Sequence, residues 1–193
     1  MNLQLRPALT LFVALSIITG LAYPLAVTGL AQLAFPAAAN GSLIVRNGQA
    51  VGSALIGQPF SDPANFWGRP SATADGPYNG KASGGSNLGP TSKKLRDRVA
   101  AELVRLRREN PEAAPLVPVE LVTTSGSGLD PHLSPAGALW QVPRVARARG
   151  LAPERVRAVV ERQIEERLFG LLGEPRVNVL QLNLALNLQF GRP

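Results

Sequence analysis

Between Arg6 and Arg46 the chain carries no charged residue, and from Leu9 to Phe35 it is almost wholly apolar. About 20 apolar residues in a helix cross a bilayer core of about 30 Å, so this stretch can span a membrane with some tilt. The competing reading is a secretory signal, with Arg6 at its basic end and Ala37-Ala38-Ala39 as a small-residue cleavage site. A signal's apolar run is only about 7–15 residues, which favours a retained transmembrane helix over residues 9–35. Pro24 is expected to kink or loosen it. Ser16 and Gly20, beside Thr19 and Tyr23, offer a small-residue side for another membrane helix. With Arg6 as the only charge on the short side, positive-inside logic puts residues 1–8 in the cytoplasm and residues 36–193 outside it.

Every other charge lies beyond that segment. The chain of 193 residues has 20 Lys+Arg against 13 Asp+Glu, a net charge of +7, which raises the question of nucleic acid. The densest basic run, Lys93 to Arg108, is interrupted by Asp97 and Glu102 and reads as a solvated helix face with i,i+4 pairs. No nucleic-acid motif accompanies it, so no such partner is expected. The absence of Cys excludes a disulfide scaffold, a thiol nucleophile and a Cys-ligated metal, and a single His excludes multi-His zinc chemistry.

The soluble part reads as one α+β domain. Leu43-Ile44-Val45 and Ala54-Leu55-Ile56 flank Asn47-Gly48, predicting a hairpin over 42–56. Ser61 to Pro90 is rich in Gly, Pro, Ser and Asn and is expected to be an irregular loop anchored by Phe60, Phe66, Trp67 and Tyr78. Leu95, Val99, Leu103 and Leu106 predict a helix over 91–109, capped by Thr91 or Ser92. Val119–Val122 reads as a strand. Ser134-Pro135 opens a second helix, which Pro143 should break or kink and Gly150 should end. Pro153 opens a third, with Val156, Val159, Val160, Ile164 and Leu168 as its core face and Gly170 and Gly173 at its end. The alternating leucines from Val177 to Leu188 predict a final strand.

Chemistry is sparse. Gly84 to Ser92 opens a helix, but Pro90 stands where a phosphate-binding loop needs Lys. Ser125 or Ser127 with His132 and Asp130 supplies the residue types of a hydrolase, without the strand–turn–helix elbow that exposes a nucleophile. Asp130 and His132 are too few for a metal site. No catalytic or metal-ligating set is expected.

Several segments resemble a known family. Gln58-Pro59-Phe60, Phe66-Trp67-Gly68-Arg69-Pro70-Ser71-Ala72, Tyr78-Asn79 and Ser83 to Thr91 are similar to the C subunit of the Kdp potassium-transporting P-type ATPase. So are Val122 to His132, Ser134-Pro135, Gln141 with Arg144-Val145-Ala146, Ala148 to Leu151, and Arg176 to Leu180. The resemblance covers nearly the whole chain and implies an accessory subunit in the bacterial plasma membrane. The implied partners are a channel-like potassium-binding subunit, a P-type subunit that hydrolyses ATP, a small single-span subunit and membrane lipid. ATP and potassium are then handled by the complex, and no cofactor is expected on this chain. The family also implies an assembly role and a catalytic-chaperone role that raises ATP affinity, with Gln141 touching nucleotide. The charge pattern places Gln141 across the membrane from cytoplasmic ATP, so assembly is the primary expectation. Phe66, Trp67, Arg69 and Tyr78 have the composition of interface anchors. Asn79, Ser83, Ser86, Asn87, Thr123, Thr124, Ser125 and Asp130 can tie two loops together or meet a partner. An exported soluble hydrolase and a stand-alone tethered binding protein are the alternatives.

Overall fold

The structure, a computed structural model, describes residues 4–191 and separates into two units, the first ending at Leu43 and the second beginning at Ile44. The expected stretch 1–8 falls partly outside the described residues.

In the first unit, helix α1 (Leu5–Ile17) and helix α2 (Tyr23–Ala34) form one rod, joined by a π-helical turn over Ile18–Ala22. The rod runs over Leu5–Ala34, is long and apolar enough to cross a membrane, and buries none of its most apolar window within the protein. Pro24 does not stop it. Proline has no N–H and its ring crowds the carbonyl one turn back, so the ladder loosens just ahead of it. The Tyr23 N–H accordingly reaches back to the Ile18 carbonyl, a wider step than the α-helical one. A short helix α3 (Pro36–Ala39) follows, after which Asn40 and Gln32 exchange side-chain hydrogen bonds at 3.1 and 3.3 Å.

The second unit mixes helix and sheet. Strands β1 (Leu43–Arg46) and β2 (Gln49–Ser53) form a hairpin about the expected turn, with Asn47 and Gly48 in left-handed backbone at φ 51° and 77°. The second arm starts directly after the turn, however, and Ala54-Leu55-Ile56 lies beyond it. No helix or strand then appears among the described residues until α4 (Lys93–Glu109), which Ser92 caps by accepting from Leu95 N. Its solvated face carries the ion pair Lys93–Asp97, and Arg105 pairs with Glu102 on the partly buried side. Strand β3 (His132–Leu133) leads into α5 (Pro135–Arg149), capped by Ser134 and closed by Gly150 at φ 63°. Helix α6 (Pro153–Arg162), β4 (Ile164–Glu165), β5 (Arg176–Asn178) and α7 (Val179–Phe190) complete the chain. β5 lies between β3 and β4, antiparallel to both, with His132 opposite Asn178 and Ile164 opposite Val177. Val145, Val156, Val160, Val177, Leu182 and Leu186 pack the core.

Four further expectations are corrected. Val119–Leu121 is a single 3-10 turn, because Pro118 sets the backbone of its entry and no strand lies alongside. Pro143 sits inside α5, which stays continuous past it. α6 ends at Arg162: Val156, Val159 and Val160 face the core, but Ile164 joins the sheet and Leu168 is exposed on a hairpin. The segment from Val179 to Phe190 is a helix, with Val179, Leu182, Asn183 and Leu186 recurring at helical spacing on its buried side.

Candidate functional site: a loop seam over a buried amide clamp

The long irregular segment leaves its backbone N–H and C=O groups without a strand neighbour, and those that are buried need partners. Two carboxamides supply them. Asn183 on α7 accepts from Phe66 N at 2.7 Å and donates to Phe66 O at 3.0 Å. Gln141 on α5 does the same for Trp67, accepting from its N–H at 2.9 Å and donating to its carbonyl at 3.0 Å. Each amide imitates one rung of a β-ladder, so two helices grip consecutive residues of an extended chain. Arg144 completes the clamp, donating to Gln141 Oε1 at 2.8 Å, Asn65 O at 3.0 Å and Pro63 O at 2.5 Å. Its guanidinium stacks 3.7 Å from the Trp67 ring centre, and that of Arg105 lies 4.6 Å away. Burial and the nearby Arg105 push the Arg144 guanidinium down to about 9, so it is still a cation at neutral pH. Gln141 is 1% exposed and Phe66 fully buried, and the Trp67 indole donates to Asp62 O at 2.9 Å. The bulk of both aromatic anchors is therefore spent inside the domain.

Outside the clamp, two loops are stitched edge to edge. Arg69 pairs with Asp130 at 2.9 Å and reaches Thr124 O at 3.4 Å. Tyr78 donates its hydroxyl to Arg69 O at 2.6 Å, and Ser71 links Tyr78 N to Gly128 O. Ser83 Oγ and Gly84 N both donate to Ser127 O, and Thr124 bonds Ser86 at 3.3 Å. Gly128, at φ 68°, lies so close that a Cβ there would sit 2.6 Å from Gly84 O. Asn79 organises its own turn through Ala74 O and Lys81 N, and Thr123 bonds back to Val119 O. Asn87 stands apart from this stitching, exposed and left-handed at φ 50°.

Asp130 is the junction. Burial pushes its carboxyl up, but hydrogen bonds from the His132 side chain and backbone, and then Arg69, outweigh that and hold it at about 2. Burial first, then the Asp130 charge, pushes the Tyr78 hydroxyl up to about 12. The hydrolase residues are used as turn partners instead. Ser125 Oγ accepts from Gly128 N at 2.9 Å and Ser127 Oγ from Leu129 N at 3.1 Å. Among the described residues neither hydroxyl is bonded to His132, whose Nδ1 lies 3.4 Å from Asp130. Nor do three His, Cys, Asp or Glu side chains gather there as metal ligands. A cleft of about 480 Å³ between this loop and α4 is lined by Phe60, Trp67, Arg69, Tyr78 and Arg105.

The structure thus joins Arg69, Tyr78, Ser83, Thr124, Ser125 and Asp130 in one seam, with Phe66, Trp67 and Gln141 in the clamp beneath. Asn183 is a partner that sequence reasoning gave no role, and its signal was a lone Asn amid leucines at 182–186; Arg144 and Ser71 came into view only within the family-like motifs, without a role.

The family model described as "KdpC: K+-transporting ATPase, c chain" matches residues 5–188. The chain is 65% identical over 185 residues to the "Potassium-transporting ATPase KdpC subunit" of Myxococcus xanthus, covering 95% of this chain and 87% of that one. It is 61% identical over 184 residues to the protein of the same name in Sorangium cellulosum (strain So ce56), covering 95% and 97%. For that of Polaromonas naphthalenivorans (strain CJ2) the identity is 61% over 183 residues, covering 95% and 93%.

Proposed function

The chain belongs to the KdpC family, the c chain of the K+-transporting ATPase, and from that premise we propose that it is the complex's non-catalytic assembly subunit. In this reading Leu5–Ala34 anchors it in the bacterial plasma membrane, where the Ser16 and Gly20 side meets a partner helix. The domain lies outside the cytoplasm against the channel-like, potassium-binding subunit, while a P-type partner hydrolyses ATP and a small single-span subunit completes the assembly. Any rise in that partner's ATP affinity is relayed through the complex, with Gln141 holding the domain together.

One observation carries this reading. The seam spends its Ser, Thr and Asp side chains on cross-bracing two loops that have no secondary structure of their own. A braced irregular surface is pre-organised, and docking it then loses little further loop entropy. Asn87 is its exposed candidate contact. Asn87→Gly keeps the left-handed backbone and deletes only the side chain, so the domain should melt unchanged. Recovery of the other Kdp subunits in mild detergent should fall about fivefold, the size of a modest interface contact. Undiminished recovery removes Asn87 from the interface.

A further inference from the structure

Beyond the seam, β4 and β5 continue into a projecting hairpin whose tip is apolar. Leu168 and Leu172 close it through paired backbone bonds at 2.9 and 3.0 Å. Leu168, Phe169, Leu171 and Leu172 are 60 to 85% exposed, Phe169 the most. Phe169 and Gly170 hold the turn in left-handed backbone at φ 54° and 73°. The chain's other hairpin uses nearly the same angles and fills them with Asn47 and Gly48, the residue types that tolerate them. A bulky side chain at such an angle is strained, and here it gains no burial in return.

The chemistry of the tip selects its partner. From 168 to 173 no side chain can donate or accept a hydrogen bond. Protein interfaces draw their binding energy from Trp, Tyr and Arg, with Leu under-represented. An all-Leu/Phe tip instead has the character of an interfacial membrane contact, which seats about 5–10 Å into the headgroup and acyl boundary. The stem pairs Arg167 with Glu174 at 2.5 Å and Arg176 with Glu165 at 2.9 Å, which leaves the exposed Glu166 as its one excess charge, below the uncharged tip. In the chain only residues 35–42 separate the apolar helix from β1, a tether that keeps bilayer lipid within constant reach of the domain. We propose that Leu168–Leu172 is a second membrane contact, seated in the lipid of the same bilayer that Leu5–Ala34 crosses. This rests on the reading of that helix as the anchor.

The chain has no Cys, so one introduced thiol takes all of a thiol-reactive fluorophore. Labels at Leu171→Cys, Ala100→Cys on α4 and Ala14→Cys in the anchor are compared in full-length chain. The chain is reconstituted in phosphatidylethanolamine/phosphatidylglycerol vesicles carrying a nitroxide near the headgroup end of the acyl chain. Quenching at Ala14→Cys reports the anchor by itself, so its failure is read separately from that of the tip. The Leu171→Cys label should lose about half its emission while the Ala100→Cys label keeps its own. Adding Phe169→Asn should abolish that quenching and leave the domain's melting temperature equal or higher, since Asn tolerates the turn. Both results should persist when the labelled chain is assembled with the other Kdp subunits. A tip label no more quenched than Ala100→Cys overturns the proposal. So does a label that is blue-shifted but unquenched in the assembled complex, which assigns the tip to another subunit.

Discussion

At the scale of single residues, Gln141 has no polar capacity to spare. Its oxygen accepts from Trp67 and Arg144, and its nitrogen donates to Trp67 O and, more weakly, to Gly137 O at 3.4 Å. Reaching a nucleotide would mean breaking this set inside a closed core. Gln141→Ala orphans the Trp67 N–H and carbonyl and removes one Arg144 acceptor, a loss of about 3 kcal/mol. The domain's melting temperature should then fall by about 10 °C. The fall can be followed by tryptophan fluorescence, because Trp67 and Trp140 are the only tryptophans and both lie in the second unit. A contact role predicts the opposite split. If Gln141→Ala weakens ATP activation of the assembled ATPase while the domain melts as before, the clamp is not its function.

At the scale of elements, the two stitched loops share one acid-sensitive clasp. The Asp130 carboxyl sits near 2 when folded against an ordinary value of 3.8, so its ionised form favours the folded state. That contribution is fully present above about pH 4 and is lost as pH falls toward 2, amounting to about 2 kcal/mol. Asp130→Asn should lose the clasp at every pH and show a shallower decline in stability across this window. Equal slopes for both proteins, by denaturant unfolding in detergent, would remove Asp130 as the junction. How much of this was legible follows element by element. The long apolar N-terminal helix, the Asn47-Gly48 turn, α4 and the start of α5 declare themselves through local pattern, cap and turn residue. The irregularity of 61–90 was equally plain in its Gly, Pro and Ser content. The last helix was not, because leucines at every second position fit a strand as well as a buried helix; only its length and the cap Asn178 spoke against a strand. The clamp was least visible. Asn183 and Phe66 are 117 positions apart, and no local pattern says which carboxamide will meet which backbone. Gln141 came into view through family resemblance, and Phe66 and Trp67 looked like surface anchors because nothing in sequence reveals that two helices enclose them.

At the scale of the whole molecule, an apolar helix whose single charge is Arg6 precedes a basic domain, and the side on which that domain lies decides what it can touch. Arg6 is the only charge before Arg46, and long domains cross membranes largely regardless of their own charge. The proposed orientation follows Arg6 and has the domain outside the cytoplasm. A thiol at Gln141 is a poor reporter of this, since the position is closed to solvent. Ala100 is exposed on α4, away from seam and clamp, and Ala100→Cys would be the chain's only thiol. In spheroplasts a membrane-impermeant maleimide should label it as fully as after lysis. Labelling only after lysis would put the domain, and the whole seam, on the ATP side. The channel-facing role would then fail, and a cytoplasmic surface for the hydrolysing subunit would replace it.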